Sequence, residues 1–189
     1  VRSGVAHGRI RCIDSMAAQA LPGVVKVLTA ADVPGSNRQG IVHKDMPVLA
    51  GDRVRCSGDA VALVIASSRE TLQRAIALVA VNIEEVPAVC DPQAAMAPGA
   101  PCVHEDHPDN LLAKAEIRLG DGADALARCD AVVEGYFSTP VQAHGFLETE
   151  NGVAWCEPDG SLSLVVSTQS PFRDRMEIAH ALGLPFDRI

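Results

Sequence analysis

The stretch that most constrains the fold lies between Ala60 and Val86. Residues Ala60 to Ala66 form an uninterrupted apolar run of strand length, with Gly58 before it and Ser67 after it. Such a run predicts a central strand buried on both faces. Ser67 and Glu70 have capping-box spacing for a helix continuing through Ala80. Within that helix Leu72, Ala75, Ile76 and Val79 recur at i, i+3, i+4 and i+7, a single apolar stripe that must face a sheet. Val81 to Val86 reads as a further strand. A strand, an amphipathic helix and a strand in immediate succession bury their apolar faces only by layering helix on sheet.

The preceding residues supply more of the same. From Val5 to Ile13, Ile10 and Cys12 alternate with Arg9 and Arg11, the pattern of a half-exposed strand. Asp14 can cap a short helix over Ser15 to Ala20, which Leu21-Pro-Gly23 ends. Val24 to Leu28 predicts a second strand, and Thr29 and Asp32 have capping-box spacing with Asp in the acidic position. Val33 to Pro47 is rich in Pro, Gly, Ser and Asn and predicts a loop. Aromatic residues make up only 3% of a chain that is 48% hydrophobic, so the core must be built from Ala, Val, Leu and Ile. Glu84 and Glu85 are adjacent and therefore point to opposite faces of their strand, which argues against a cooperating acid/base pair.

Beyond Ala88 the composition shifts to Pro, Ala, Gly and His, the mark of a linker or domain crossing that extends to Pro108. Gly120-Asp-Gly122 then opens a short helix containing Ala125 and Leu126, and Ala131 to Pro140 reads as a strand. From Ser161 to Val165, Ser and Leu alternate, predicting a buried strand. Ser167, Thr168 and Gln169 turn the run polar before Pro171 opens a helix from Phe172 to Leu182, with Met176, Ile178, Ala179 and Leu182 inward and Gly183 at its end. A polar triplet at the end of an apolar strand is a place where folds present side chains to ligands.

Charge and cysteine usage exclude several functions. A formal net charge of −8 argues against nucleic acid or an anionic membrane as the partner, since both require a basic face. No apolar run reaches membrane-spanning length, and the chain reads as cytoplasmic. The six cysteines, Cys12, Cys56, Cys90, Cys102, Cys129 and Cys156, contain no Cys-x-x-Cys pair, so they are expected to be reduced thiols and not an iron–sulfur or zinc site. His104 and His107 lack the further ligands and helix context of a metal site.

The pairing of His144-x-x-Leu-Glu148 with Val166-Ser-Thr-Gln169 resembles the molybdenum-cofactor subunit of the xanthine dehydrogenase and aldehyde oxidase family. Ala6-His-Gly-Arg-Ile10, Leu21-Pro-Gly-Val24, Ala31-Asp-Val-Pro34 and Ile83-Glu-Glu-Val-Pro87 resemble its hammerhead domain. The resemblance implies an α+β fold: an α/β hammerhead domain with a mixed sheet and packed helices, then the first strands and helix of a molybdopterin-binding domain. The expected division is a hammerhead over 1–90 lacking its first strand, a crossing segment over 91–130, and the beginning of the cofactor domain over 131–189. Val1 is then expected to be a break in a longer chain.

The same resemblance implies Gln169 as the cofactor-binding residue, since the family's matching Gln hydrogen-bonds an oxygen ligand of the molybdenum. Asp32 to Asn37 resembles the purine-oxidising branch, which implies Ile41 and Val42 at a substrate funnel; a plain surface loop is the competing reading, with His43 a solvated loop histidine. His144 and Glu148 are expected to shape the pocket wall from the interior. The catalytic Glu, a Gly-rich loop and most pterin contacts of the family would lie downstream of Ile189, so no catalytic residue and no metal ligand is assigned within this stretch. The implied activity is hydroxylation of a purine-type heterocycle or an aldehyde with water as the oxygen source, and this stretch alone is expected to be inactive. The implied cofactor is a molybdopterin-type molybdenum cofactor, with 2Fe-2S and FAD on other domains or subunits. The implied partners are the remainder of the molybdenum-binding subunit, those electron-transfer units, a small-molecule substrate and a second copy in a dimeric assembly. Two alternatives stay open: a non-catalytic scaffold or binding module, and a non-redox enzyme using His144 and Glu148 as acid and base.

Overall fold

In the computed structural model, which describes residues 1–145 and 147–189, the chain up to Glu85 forms β1 (Gly8–Asp14), α1 (Met16–Gln19), β2 (Val24–Leu28), β3 (Arg38–Gln39), β4 (Met46–Pro47), β5 (Arg53–Val54), β6 (Leu63–Ala66), α2 (Arg69–Leu78) and β7 (Ala80–Glu85). β1 is the middle strand of a three-stranded sheet ordered β5-β1-β7, with Ile10 opposite Ile83. β2 pairs with β6 in a second sheet, and β3 with β4 in a small hairpin. These pairings are all antiparallel, where the sequence reading expected a mixed sheet. The strand–helix–strand unit explains the difference: α2 carries the chain from β6 in one sheet to β7 in the other, so the two strands never become parallel neighbours.

The core follows from composition. Ala18, Val27, Ala62, Val64, Ala75 and Val79 cluster between α1, α2 and the β2-β6 pair. Ala50, Val54 and Val61 form a second cluster, and Ile13 and Val81 pack against both. Small side chains let the elements approach closely. At Gly8 a Cβ would overlap Ile83 Cγ2 and lie 2.8 Å from Glu84 O, so the strand crossing there requires glycine.

Several local expectations shift. The run from Ala60 to Ala66 is a strand only from Leu63 onward, and it is not buried on both faces: Leu63 and Ile65 are exposed while Val61, Ala62 and Val64 are buried. The cause is cover on one side only, since β6 faces α2 and pairs with β2 alone among the described residues. The N-cap of α2 is Ser68, whose Oγ accepts from Thr71 N at 3.1 Å; Ser67 instead donates its backbone N–H to Gly23 O. Asp14 Oδ1 accepts from Met16 N at 3.0 Å at the start of α1, and the Asp32 carboxylate accepts from Thr29 N at 2.8 Å, as the spacings predicted.

The remaining chain contains α3 (Pro92–Ala95), α4 (Gly122–Ala127), β8 (Gly152–Cys156), β9 (Leu162–Val166) and α5 (Pro171–Leu182). Asn110, at φ 56°, ties the crossing segment together: its side chain accepts from Val103 N and donates to Ala95 O and Pro101 O. Asp121 caps α4 by accepting from Asp124 N. β8 and β9 form an antiparallel hairpin, of which the sequence reading found only β9. That strand is half-buried from Leu162 to Leu164 and exposed at Val165 and Val166, so it is not the buried strand expected. Ala131 to Pro140 carries no strand, because no other segment among the described residues lies alongside to complete a ladder. α5 buries Ala179 and ends at Gly183 in the left-handed conformation, φ 66°. All six cysteines are free thiols. Among the described residues no helix is long and apolar enough to cross a membrane.

Candidate functional site

The turn between β9 and α5 is fastened on both sides while its apex stays uncommitted. Thr168 Oγ1 accepts from Ser170 N at 3.1 Å and donates to the Asp174 carboxylate, whose own N–H donates to Ser170 O. Pro171 occupies the first turn of α5, where its missing N–H costs nothing. Gln169, between these anchors, is exposed and its amide has no hydrogen-bond partner among the described residues.

A loop from the first half of the chain forms the facing wall. Gly35 N donates to Ala181 O at 2.9 Å and Ser36 N to His180 O at 2.8 Å, giving partners to carbonyls in the last turn of α5. A Cβ on Gly35 would overlap His180 O and Gly183 N, so the backbones touch only because this residue is glycine. Further along, Lys44 forms an ion pair with Glu177 of α5. The groove so enclosed has a volume of about 500 Å³. Gly40, Ile41 and Met46 line one side of it, and Glu150, Gln169, Arg173 and Glu177 the other.

Of the residues singled out from sequence, Ile41 and Gln169 are brought to the same groove. Val42, two-thirds or more exposed, lies outside the lining, and His43 packs its ring edge-on to His107 with centroids 5.5 Å apart. His144 and Glu148 are exposed on irregular backbone and make no hydrogen bond among the described residues. Interior side chains were expected here; within this chain both are exposed, and no strand forms at 131–140 to fold the stretch inward. Glu150, Arg173 and Glu177 were missed. Arg173 and Glu177 stand at i and i+4 on the helix that opens just after Gln169, so helical spacing carried a signal that relates the two to each other; Glu150 and Lys44 carried none.

A second polar cluster lies where the loop before β4 meets the crossing segment, with Asp45, His104 and His107 around one cavity. Burial, and then the nearby Arg55, hold His104 below the ordinary histidine pKa, partly offset by Asp45. On the hairpin, hydrogen bonds from Ser161 hold the Asp159 carboxyl below its usual range.

The family model for the aldehyde oxidase and xanthine dehydrogenase a/b hammerhead domain matches residues 1–87, and that for the molybdopterin cofactor-binding domain matches residues 103–189. The chain belongs to this family. The fold is accordingly a hammerhead domain followed by the start of the molybdopterin-binding domain. Among curated relatives, the nicotinate dehydrogenase large molybdopterin subunit of Eubacterium barkeri is 38% identical over 188 residues, which is 100% of this chain and 44% of that protein. The xanthine dehydrogenase molybdenum-binding subunit of Escherichia coli is 33% identical over 199 residues, 98% of this chain and 26% of that one. The structure of aldehyde oxidoreductase from Desulfovibrio gigas superposes with a TM-score of 0.90 at 30% identity, covering 100% of this chain and 22% of its own. This chain thus spans less than half the length of these family members.

Proposed function

We propose that this chain acts as part of the molybdenum-binding subunit of a hydroxylase that oxidises a purine-type heterocycle or an aldehyde with water as the oxygen source. The observation that carries the reading is Gln169, an amide without a partner among the described residues at the apex of a fastened turn, opening into a groove that both halves of the chain line. The residues present fit the cofactor's requirements at this place. An amide is neutral and offers two donors and one acceptor, so it can hydrogen-bond a polar ligand of a metal without becoming a ligand itself.

In this reading the molybdenum cofactor, when bound, supplies the two-electron oxidation, and the protein supplies placement and electrostatics. Gln169 would hold the cofactor's polar edge in one orientation. Ile41 and Met46 would cover the apolar face of a flat substrate, with Val42 at the outer rim of the entrance. His144 and Glu148 would shape the pocket wall once the rest of the subunit packs over them, and the catalytic base would come from that part as well. We assign electron transfer to iron–sulfur and flavin domains or subunits, and place the assembly, as a dimer, in the cytoplasm. The hammerhead over 1–90, the crossing segment over 91–130 and the cofactor domain from 131 onward complete the proposed organisation.

The test is Gln169→Ala in the complete enzyme. Turnover should fall by roughly 10–100-fold, the usual cost of losing a partner of this kind, while the melting temperature stays unchanged, because the side chain is exposed and makes no hydrogen bond among the described residues. Unchanged turnover would remove Gln169 from the site.

A further inference from the structure

We propose that Arg173 makes the Gln169 groove selective for a substrate that carries a carboxylate. The proposal rests on the functional reading above and names the class of substrate that this groove takes. Arg173 and Glu177 are one turn apart on α5, Gln169 stands in the turn just before that helix, and all three line the groove. On an isolated helix Arg173 would pair with Glu177 one turn later. Here Lys44 reaches from the facing loop and takes Glu177, whose side chain is only 15% exposed. Asp174, a neighbouring carboxylate that also lines the groove, accepts from Thr168 and forms no ion pair with Arg173. Arg173 is left without an ion-pair or hydrogen-bond partner among the described residues, on the wall of the groove that holds the cofactor-facing amide.

A guanidinium in that position has a specific use. Its planar fork matches a carboxylate with two parallel hydrogen bonds, which a point charge cannot do. Its place in the first turn of a 12-residue helix adds the positive end of the helix dipole to the same anion. The opposite wall presents Ile41 and Met46, both well exposed and apolar, against which a ring can lie flat. Glu150, also on the lining and without a partner among the described residues, disfavours an anion on its own side of the groove, which leaves Arg173 as the cationic group of the lining. With Arg173 the one arginine or lysine on the lining among the described residues, the orientation that fits is carboxylate at Arg173 and uncharged ring edge toward Gln169.

The experiment uses the complete holoenzyme and two probes of matching shape that differ in charge, benzoate and benzamide, with binding measured by titration calorimetry. Wild-type enzyme should bind benzoate about tenfold more tightly than benzamide, the difference between a charge-assisted and a neutral hydrogen-bonded pair. R173Q should abolish that preference and R173K should retain part of it, with molybdenum and pterin content unaltered. The KM for 4-formylbenzoate should rise in R173Q while that for 4-formylbenzamide does not. Equal binding of both probes by the wild type, or a preference that survives R173Q, overturns the proposal. Loss of cofactor from R173Q also overturns it, by giving the guanidinium to a cofactor phosphate instead. Failure of the underlying functional reading shows elsewhere, as wild-type protein without molybdenum or as full turnover in the Gln169→Ala enzyme.

Discussion

The chain up to Pro87 and the stretch from Ile117 to Leu147 both carry β-branched and large apolar residues, and they treat them in opposite ways. In the first, Val27, Val54, Val61 and Val64 are buried between two sheets and two helices. In the second, Val133, Phe137 and Leu147 are 94%, 91% and 99% exposed. Their side chains are no less apolar; what differs is neighbours. β1 has a strand on each side, whereas no strand lies beside 131–140 among the described residues. Strand-forming side chains specify a strand only where a ladder partner and a covering layer exist.

The sharpest way to break this comparison is to place a charge in each region. Val61→Asp should destabilise the hammerhead half by about 4 kcal/mol or more, because an ionised carboxylate at a fully buried site has no partner. Phe137→Asp should leave the thermal transition of this chain unmoved. Equal destabilisation by the two substitutions would mean that the second region is packed in solution. A smaller effect is expected where the halves meet. Gly35→Ala forces a methyl group against the backbone of His180 and Gly183 and should cost about 1–3 kcal/mol. It should also expose the His180 and Ala181 carbonyls, visible as faster amide exchange at Gly35 and Ser36. Ser68→Ala removes the side-chain cap of α2 and should cost about 1 kcal/mol, whereas Ser67→Ala, at the position that sequence spacing favoured, should cost less.

The smallest effect concerns pH. The folded-state pKa of His104 lies below its ordinary value of 6.5, chiefly through burial and then Arg55. As pH falls through that ordinary value the unfolded chain takes up the proton first, so folded-state stability declines toward the lowered pKa and is fully present above 6.5. Thermal unfolding compared at about pH 7.5 and about pH 5.5 should show a smaller acid-induced drop for His104→Gln than for the wild type. An identical drop would assign the pH dependence to other groups.

Where a structural element depends on its own few residues, it was legible in the sequence. The boundaries of Val24 to Leu28 are those of β2, Gly120-Asp-Gly122 opens α4, and Pro171 and Gly183 bracket α5. The cap of α2 was misplaced by one residue because Ser67 and Ser68 are chemically equivalent, and the bond from Ser67 N to Gly23 O decides between them. β8 escaped notice because Gly152 to Cys156 has no alternation and becomes a strand only opposite β9. At the site, Gln169 and Ile41 were legible through resemblance, while Glu150 and Lys44 were not, since nothing near either residue in the chain marks it.

Sequence alone determined the family, the positions of the main helices and strands, an Ala- and Val-built core, and an amide at the end of β9. Only tertiary structure decided which strands found partners and which apolar residues were buried. It also decided that Lys44 and Glu177, 133 residues apart, would meet across the groove and leave Arg173 without a partner among the described residues. Caps, turns and stripes act over one helical turn or one strand and are written in adjacent residues. Pairings across the whole chain depend on how loops close and surfaces pack, and no local pattern encodes them.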